Sequence, residues 1–202
     1  MTTLTLLDGP LGSALEALGH ACPAPLWSAS VVASDPGDVA KVHEDYARCG
    51  VDVHTTATFR TTQRALAGTP HDWRVLTRRA VGLCRDAAGP HARVAGSMAP
   101  LEDCWRPDLT PDDGALRTEH ALLAQELAEA GVDLLLVETM PSVAELAAAV
   151  RAAVATGLPV WCAVSLGPEG DFFNEASLAH AAHLALDEGA QAFGLNCTLA
   201  DA

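Results

Sequence analysis

Residues 190–197 read AQAFGLNC, a short apolar run that delivers Cys197 at its end. A thiol in that place is a candidate nucleophile or metal ligand, because parallel α/β proteins gather their chemistry at the C-terminal ends of strands. Carboxylates recur at equivalent places. Asp8 ends TLTLLDG, and Glu138 closes the apolar run LLLV, where burial without a partner is costly. Two plainer readings stand beside these: Asp8 as the cap of the next helix, and Glu138 as a buried residue paired with a neighbour. Histidines offer less. His54, inside VDVHTTAT, reads as a satisfied strand histidine rather than a ligand. HEDY at 43–46 lacks the second histidine of H-E-x-x-H and reads as an exposed helix face. His180 and His183, three apart, read as a solvated face. The acidic Asp112-Asp113 reads as a helix start.

The elements that must position these groups alternate along the chain. Strand-like segments are TLTLLDG near residue 3, VDVHTTAT at 51, ARVAGSMA at 92, VDLLLVET at 132, LPVWCAVSL at 158 and AQAFGLNC at 190. Most are near-continuous apolar runs, as expected of strands covered on both faces. Helical stripes lie between them. Asp35-Pro36 opens one that carries Val39, Val42 and Tyr46, a cap followed by proline at the first helical position. Trp73, Leu76, Ala80, Leu83 and Ala87 mark a second stripe, and Leu116, Leu123 and Leu127 a third. Ser142 and Glu145 form a capping box opening a fourth, and Leu178, Ala182 and Ala185 lie on a fifth. Gly50, Gly89, Gly131, Gly157 and Gly189 each fall between a helix and the next strand, where a left-handed residue is wanted.

This rhythm predicts a parallel α/β fold. The first turn, DGPLGS, is not the G-x-G-x-x-G of a dinucleotide-binding sheet. Polar residues mark nearly every strand end: Asp8, Thr55, Thr56, Thr58, Ser97, Glu138, Thr139, Ser165, Asn196 and Cys197. A (β/α)8 barrel has its active face there. The 202 residues supply about six strand–helix steps, whereas a whole barrel takes about 250 residues. The expectation is therefore one domain over 1–202, a (β/α)8 TIM-barrel type that is incomplete and lacks its last two βα units.

Bulk properties agree with that architecture and narrow the partners. Half the residues are hydrophobic but only 4% are aromatic, which suits helices on a sheet better than a sandwich. A net charge of −14 repels phosphate backbones, so nucleic acid is not an expected partner. No run approaches the roughly 20 apolar residues of a membrane span, and MTTLTLLDG has no basic start to an export signal. The six cysteines are widely spaced and contain no CxxC, which points to free thiols and a cytoplasmic setting.

Taken in order, LLDGPLGSALEALG, LWSA at 26–29, VHEDYARCGVDVHTTATF, VAGSMAP, GVDLLLVETMPSVAEL and GLNC resemble the homocysteine S-methyltransferase family over nearly the whole chain. The resemblance implies transfer of a methyl group from a sulfonium or ammonium donor to the thiol of homocysteine, giving methionine. It also implies a zinc ion held by three cysteine thiolates that binds and activates the substrate sulfur. Cys197, in Gly194-Leu195-Asn196-Cys197, matches the first of those ligands. The others belong to a Gly-Gly-Cys-Cys phrase that this sequence lacks. Asp8, Gly9, Glu138 and Asn196 match the substrate-binding positions, with the carboxylates facing the α-ammonium of homocysteine. No residue is assigned a catalytic role. Two positions depart from the family pattern: Pro10 replaces a glycine after the aspartate, removing an N–H, and Ala57 replaces an asparagine in TTAT. The alternative is an inactive, truncated barrel serving as a binding or interaction module, with self-association through open barrel edges.

Overall fold

In the computed structural model, which describes residues 4–198, three helices come first, and from the third onward helices and parallel strands alternate as the apolar pattern requires. In chain order they are α1 (Leu11–Ala17), α2 (Ser28–Ser34), α3 (Pro36–Arg48), β1 (Val53–Thr55), α4 (Trp73–Ala88), β2 (Arg93–Met98), α5 (Asp113–Glu129), β3 (Leu134–Met140), α6 (Val143–Val154), β4 (Val160–Val164), α7 (Glu175–Asp187) and β5 (Ala192–Leu195). The chain divides into two compact units, residues 1–97 with 126–133, and residues 98–125 with 134–202. Among the described residues no helix is long and apolar enough to cross a membrane.

In the first unit β1 and β2 pair in parallel, with Val53 opposite Arg93 and Thr55 opposite Ala95. The first apolar segment forms only a parallel bridge, Leu7 to Val53, so among the described residues five strands stand where six were expected. Beside the bridge the Asp52 carboxylate accepts the Leu6 N–H at 2.8 Å, and the Leu6 carbonyl accepts the Asp52 N–H at 2.8 Å. Pro36 starts α3 as expected, but the Asp35 side chain makes no capping hydrogen bond. Asp35 is also the last residue of the α2 turn, its N–H bound to the Val31 carbonyl, and its backbone follows that bond. Asp72 caps α4 by accepting from Arg74 and Val75. The α4 stripe buries Trp73, Leu76, Ala80 and Cys84. Asp133 ties strand to helix by accepting the Val94 N–H at 2.7 Å and pairing with Arg85 at 2.8 Å.

In the second unit β3, β4 and β5 pair in parallel in that order. Strands β3 and β4 are almost wholly buried, which explains their unbroken apolar sequences. Ser142 caps α6 through the Glu145 N–H, but the capping box is one-sided. The Glu145 carboxylate instead accepts the Leu101 N–H at 2.7 Å and lies 3.3 Å from His120 Nε2. With both side chains buried, that carboxylate fastens a loop to two helices. Asn174 and Ser177 make a complete capping box on α7. Gly50 and Gly157 close α3 and α6 at φ 76° and 80°, a conformation cheap only for glycine.

Candidate functional site

The first unit assembles an acidic and imidazole cluster at the start of β1. Asp8 is held there by its own N–H, which donates to the Val53 carbonyl at 3.1 Å. Its carboxylate accepts the Thr55 N–H at 2.8 Å. It does not cap α1, which begins at Pro10 without any side-chain cap. Burial pushes Asp8 up to about 6, against the opposing pull of the Thr55 N–H. Gly9 is fixed by close approach: a Cβ there would stand 2.7 Å from the Tyr46 hydroxyl and 2.9 Å from its ring.

His54 on β1 and His43 on α3 lie beside Asp8, with one ligand atom from each residue within 4.8 Å of the others. Both are fully buried. This corrects two expectations. HEDY is not an exposed face at His43, and His54 is not satisfied: no ring nitrogen of either histidine has a hydrogen-bond partner among the described residues. The rings meet edge to face, 6.3 Å apart. Burial, then the neighbouring His54, lowers His43 to about 4, and burial also lowers His54. A signal for His43 was present, since it stands four residues after Val39 on a helix already read as amphipathic.

The threonines after β1 have structural work. Thr56 and Thr58 share a hydroxyl contact of 2.7 Å, Thr58 donates to the Ser97 carbonyl, and Ser97 N–H donates to Thr56. These bonds lock the ends of β1 and β2 together. Ala57, the departure from the family's asparagine, is buried between them.

The second unit builds a separate constellation where β3 and β5 end. The pairing of β3 with β4 shifts register between Val137 and Met140, so Glu138 and Thr139 leave the regular pleat. Thr139 takes φ 60° and Cys197 φ 48°, a region disfavoured for residues with a side chain, most of all a β-branched one. Asn196 holds this arrangement. Its Oδ1 accepts the Thr139 N–H at 2.9 Å, and its Nδ2 donates to Thr139 Oγ1 at 2.9 Å and Glu138 Oε2 at 3.0 Å. Thr139 Oγ1 then donates to Cys197 Sγ at 3.6 Å, and Ser165 Oγ to the Cys197 carbonyl at 2.9 Å. Although Cys197 keeps an exposed side, partial desolvation pushes its thiol up; the Thr139 hydroxyl opposes this and the Glu138 charge adds to it. Sequence reasoning located Glu138, Asn196 and Cys197 but gave Thr139 no role, since a positive φ has no signature in a threonine.

Cys197 by itself does not fit a zinc site. Zinc takes three or four protein ligands, and among the described residues no group of potential metal ligands includes it. Cys162 is buried within β4, and Cys84 within α4. His180 and His183 are exposed on α7.

Helices alternating with parallel strands, and polar groups gathered past the strand ends, define an α/β fold of the (β/α)8 type, here incomplete. A solved structure of the homocysteine methyltransferase MmuM from Escherichia coli, in its metallated form, matches over 98% of this chain and 76% of its own, with a TM-score of 0.83 at 28% identity. The family model described as homocysteine S-methyltransferase matches residues 5–202, and the chain belongs to that family. Homocysteine S-methyltransferase of Escherichia coli (strain K12) is 33% identical over 163 residues, 72% of this chain and 53% of that protein. An S-methylmethionine–homocysteine S-methyltransferase of Mus musculus is 30% identical over 173 residues, 85% of this chain and 46% of that protein. The chain thus spans about half the length of these curated relatives.

Proposed function

We propose that this chain is the homocysteine-binding part of a methyltransferase that converts homocysteine to methionine with a sulfonium or ammonium methyl donor. The observation that carries this reading is Glu138, held by the Asn196 amide that also grips Thr139, which in turn donates to the thiol of Cys197. A carboxylate fixed in this way suits an α-ammonium, through charge-assisted hydrogen bonds of the stronger kind. Asn196 acts by orienting Glu138, because its amide is engaged within the cluster. Asp8, with Gly9 beside it, is a carboxylate of the first unit that would take a cationic group only when it holds no metal ion. In the transfer, the homocysteine sulfur releases its proton to solvent and forms a bond to the methyl carbon. The methyl–sulfonium or methyl–ammonium bond breaks, and the donor leaves as a neutral thioether or amine. The family's zinc would supply thiolate activation, and Cys197 is proposed as one of its ligands only where further ligands join it, since one thiolate does not hold the ion. The free thiols support a reducing, cytoplasmic setting for this reaction.

Calorimetry with L-homocysteine tests the reading. Binding by the wild-type chain that weakens at least tenfold in Glu138→Gln, with the fold retained, supports it. Equal binding by wild type and variant, or none by a folded wild-type chain, overturns it. Methionine formation from S-methylmethionine, followed by mass spectrometry, tests the transfer itself.

A further inference from the structure

We propose that Asp8, His43 and His54 form a divalent transition-metal site of the two-histidine, one-carboxylate kind, built without cysteine. The three donors come from three places that the backbone fixes relative to one another. Asp8 follows the Leu7–Val53 bridge, His54 lies on β1 itself, and His43 projects from α3, which packs on β1. One donor atom from each lies within 4.8 Å of the other two. Donors about 2.1 Å from one ion stand about 3.0–3.4 Å apart at octahedral or tetrahedral angles, so the three side chains would draw together by rotation to share it.

The histidines supply the independent observation. Both are 0% exposed, and all four of their ring nitrogens lack a hydrogen-bond partner among the described residues. Buried polar atoms are almost always paired, and two adjacent buried imidazoles without partners among the described residues, beside one carboxylate, form a donor set that a cation would satisfy. An ordinary core histidine would donate to a backbone carbonyl, and neither does. The Thr55 N–H on Asp8 Oδ2 supplies the outer-shell hydrogen bond that commonly orients a ligating carboxylate. Two imidazoles and one carboxylate leave positions open, a donor set suited to Zn²⁺, Fe²⁺, Co²⁺ or Ni²⁺. An ion here withholds Asp8 from any ammonium group. The site does not depend on the methyl-transfer reading.

Cobalt(II) is the probe, because its visible bands report coordination and a near-ultraviolet charge-transfer band reports any thiolate ligand. The metal-stripped wild-type chain and Cys197→Ser are titrated with Co²⁺ alone. The expected result is one ion per chain in both, with visible bands and no thiolate band. His43→Gln, His54→Gln and Asp8→Asn should each weaken binding at least tenfold. No uptake by a folded wild-type chain overturns the proposal, as does a thiolate band that disappears in Cys197→Ser. Unchanged affinity in a folded His54→Gln chain overturns it as well. X-ray absorption on the zinc-loaded wild-type chain removes any dependence on variant folding: a shell of nitrogen and oxygen supports the site, and sulfur in the shell, or no bound zinc, overturns it.

Discussion

At the scale of single residues, the two clusters rest on contacts that leave little freedom. Gly9 is required by Tyr46 rather than by its own φ. Gly9→Ala should destabilise the chain by about 1–3 kcal/mol through overpacking. Adding Tyr46→Ala should recover part of that loss, and thermal denaturation of the single and double variants measures the coupling. Thr139 bears a positive φ because Asn196 grips it from both its N–H and its hydroxyl. Thr139→Val removes the hydroxyl and keeps the branched backbone preference. It should cost about 1 kcal/mol, one net hydrogen bond, and weaken homocysteine binding by loosening Glu138. Urea titration and calorimetry read the two effects separately.

At the scale of elements, charged side chains fasten helices to strands and loops. Glu145 is the clearest case, since its carboxylate serves the buried Leu101 N–H and His120. Glu145→Ala should cost about 2 kcal/mol or more, because buried polar groups lose their partner. Denaturant unfolding measures it. Asp133 makes a second tie. Burial raises its pKa, but Arg85 and the Val94 N–H outweigh burial and hold it below the usual carboxylate range. A carboxylate lowered on folding adds stability above its unfolded value, about 3.9, and that contribution is lost as pH falls through the folded value. Asp133→Asn should therefore lower the melting temperature at neutral pH and differ progressively less from wild type below about pH 4. Melting temperatures between pH 7 and pH 3 check this.

At the scale of the whole molecule, both chain-terminal segments carry exposed apolar surface. Leu4 is 86% exposed in the first unit and Leu195 48% in the second. Strand β5 pairs with β4 alone among the described residues. Open strand edges with exposed leucines favour association. Sedimentation velocity should show a concentration-dependent species heavier than the monomer, reduced in the double variant Leu4→Lys/Leu195→Lys. A monomer at all concentrations would remove self-association from the reading.

The order of elements from α3 onward was legible from sequence alone, because buried parallel strands demand unbroken apolar runs and helices demand a period near 3.6, whereas the short α2 carried no stripe that marked it. So were Asn196 and Cys197, which follow β5, and Glu138, in the last residues of β3, where a parallel fold puts its chemistry. Backbone geometry decided the rest. The register shift that turns Glu138 and Thr139 out of the pleat depends on pairing with β4, and no local residue pattern encodes it. The burial of His43 was signalled by its spacing from Val39, but the absence of partners around His43 and His54 among the described residues was hidden. Whether a histidine is exposed, satisfied or left without a partner depends on what another element brings against it, and only folding α3 onto β1 brings both rings to Asp8.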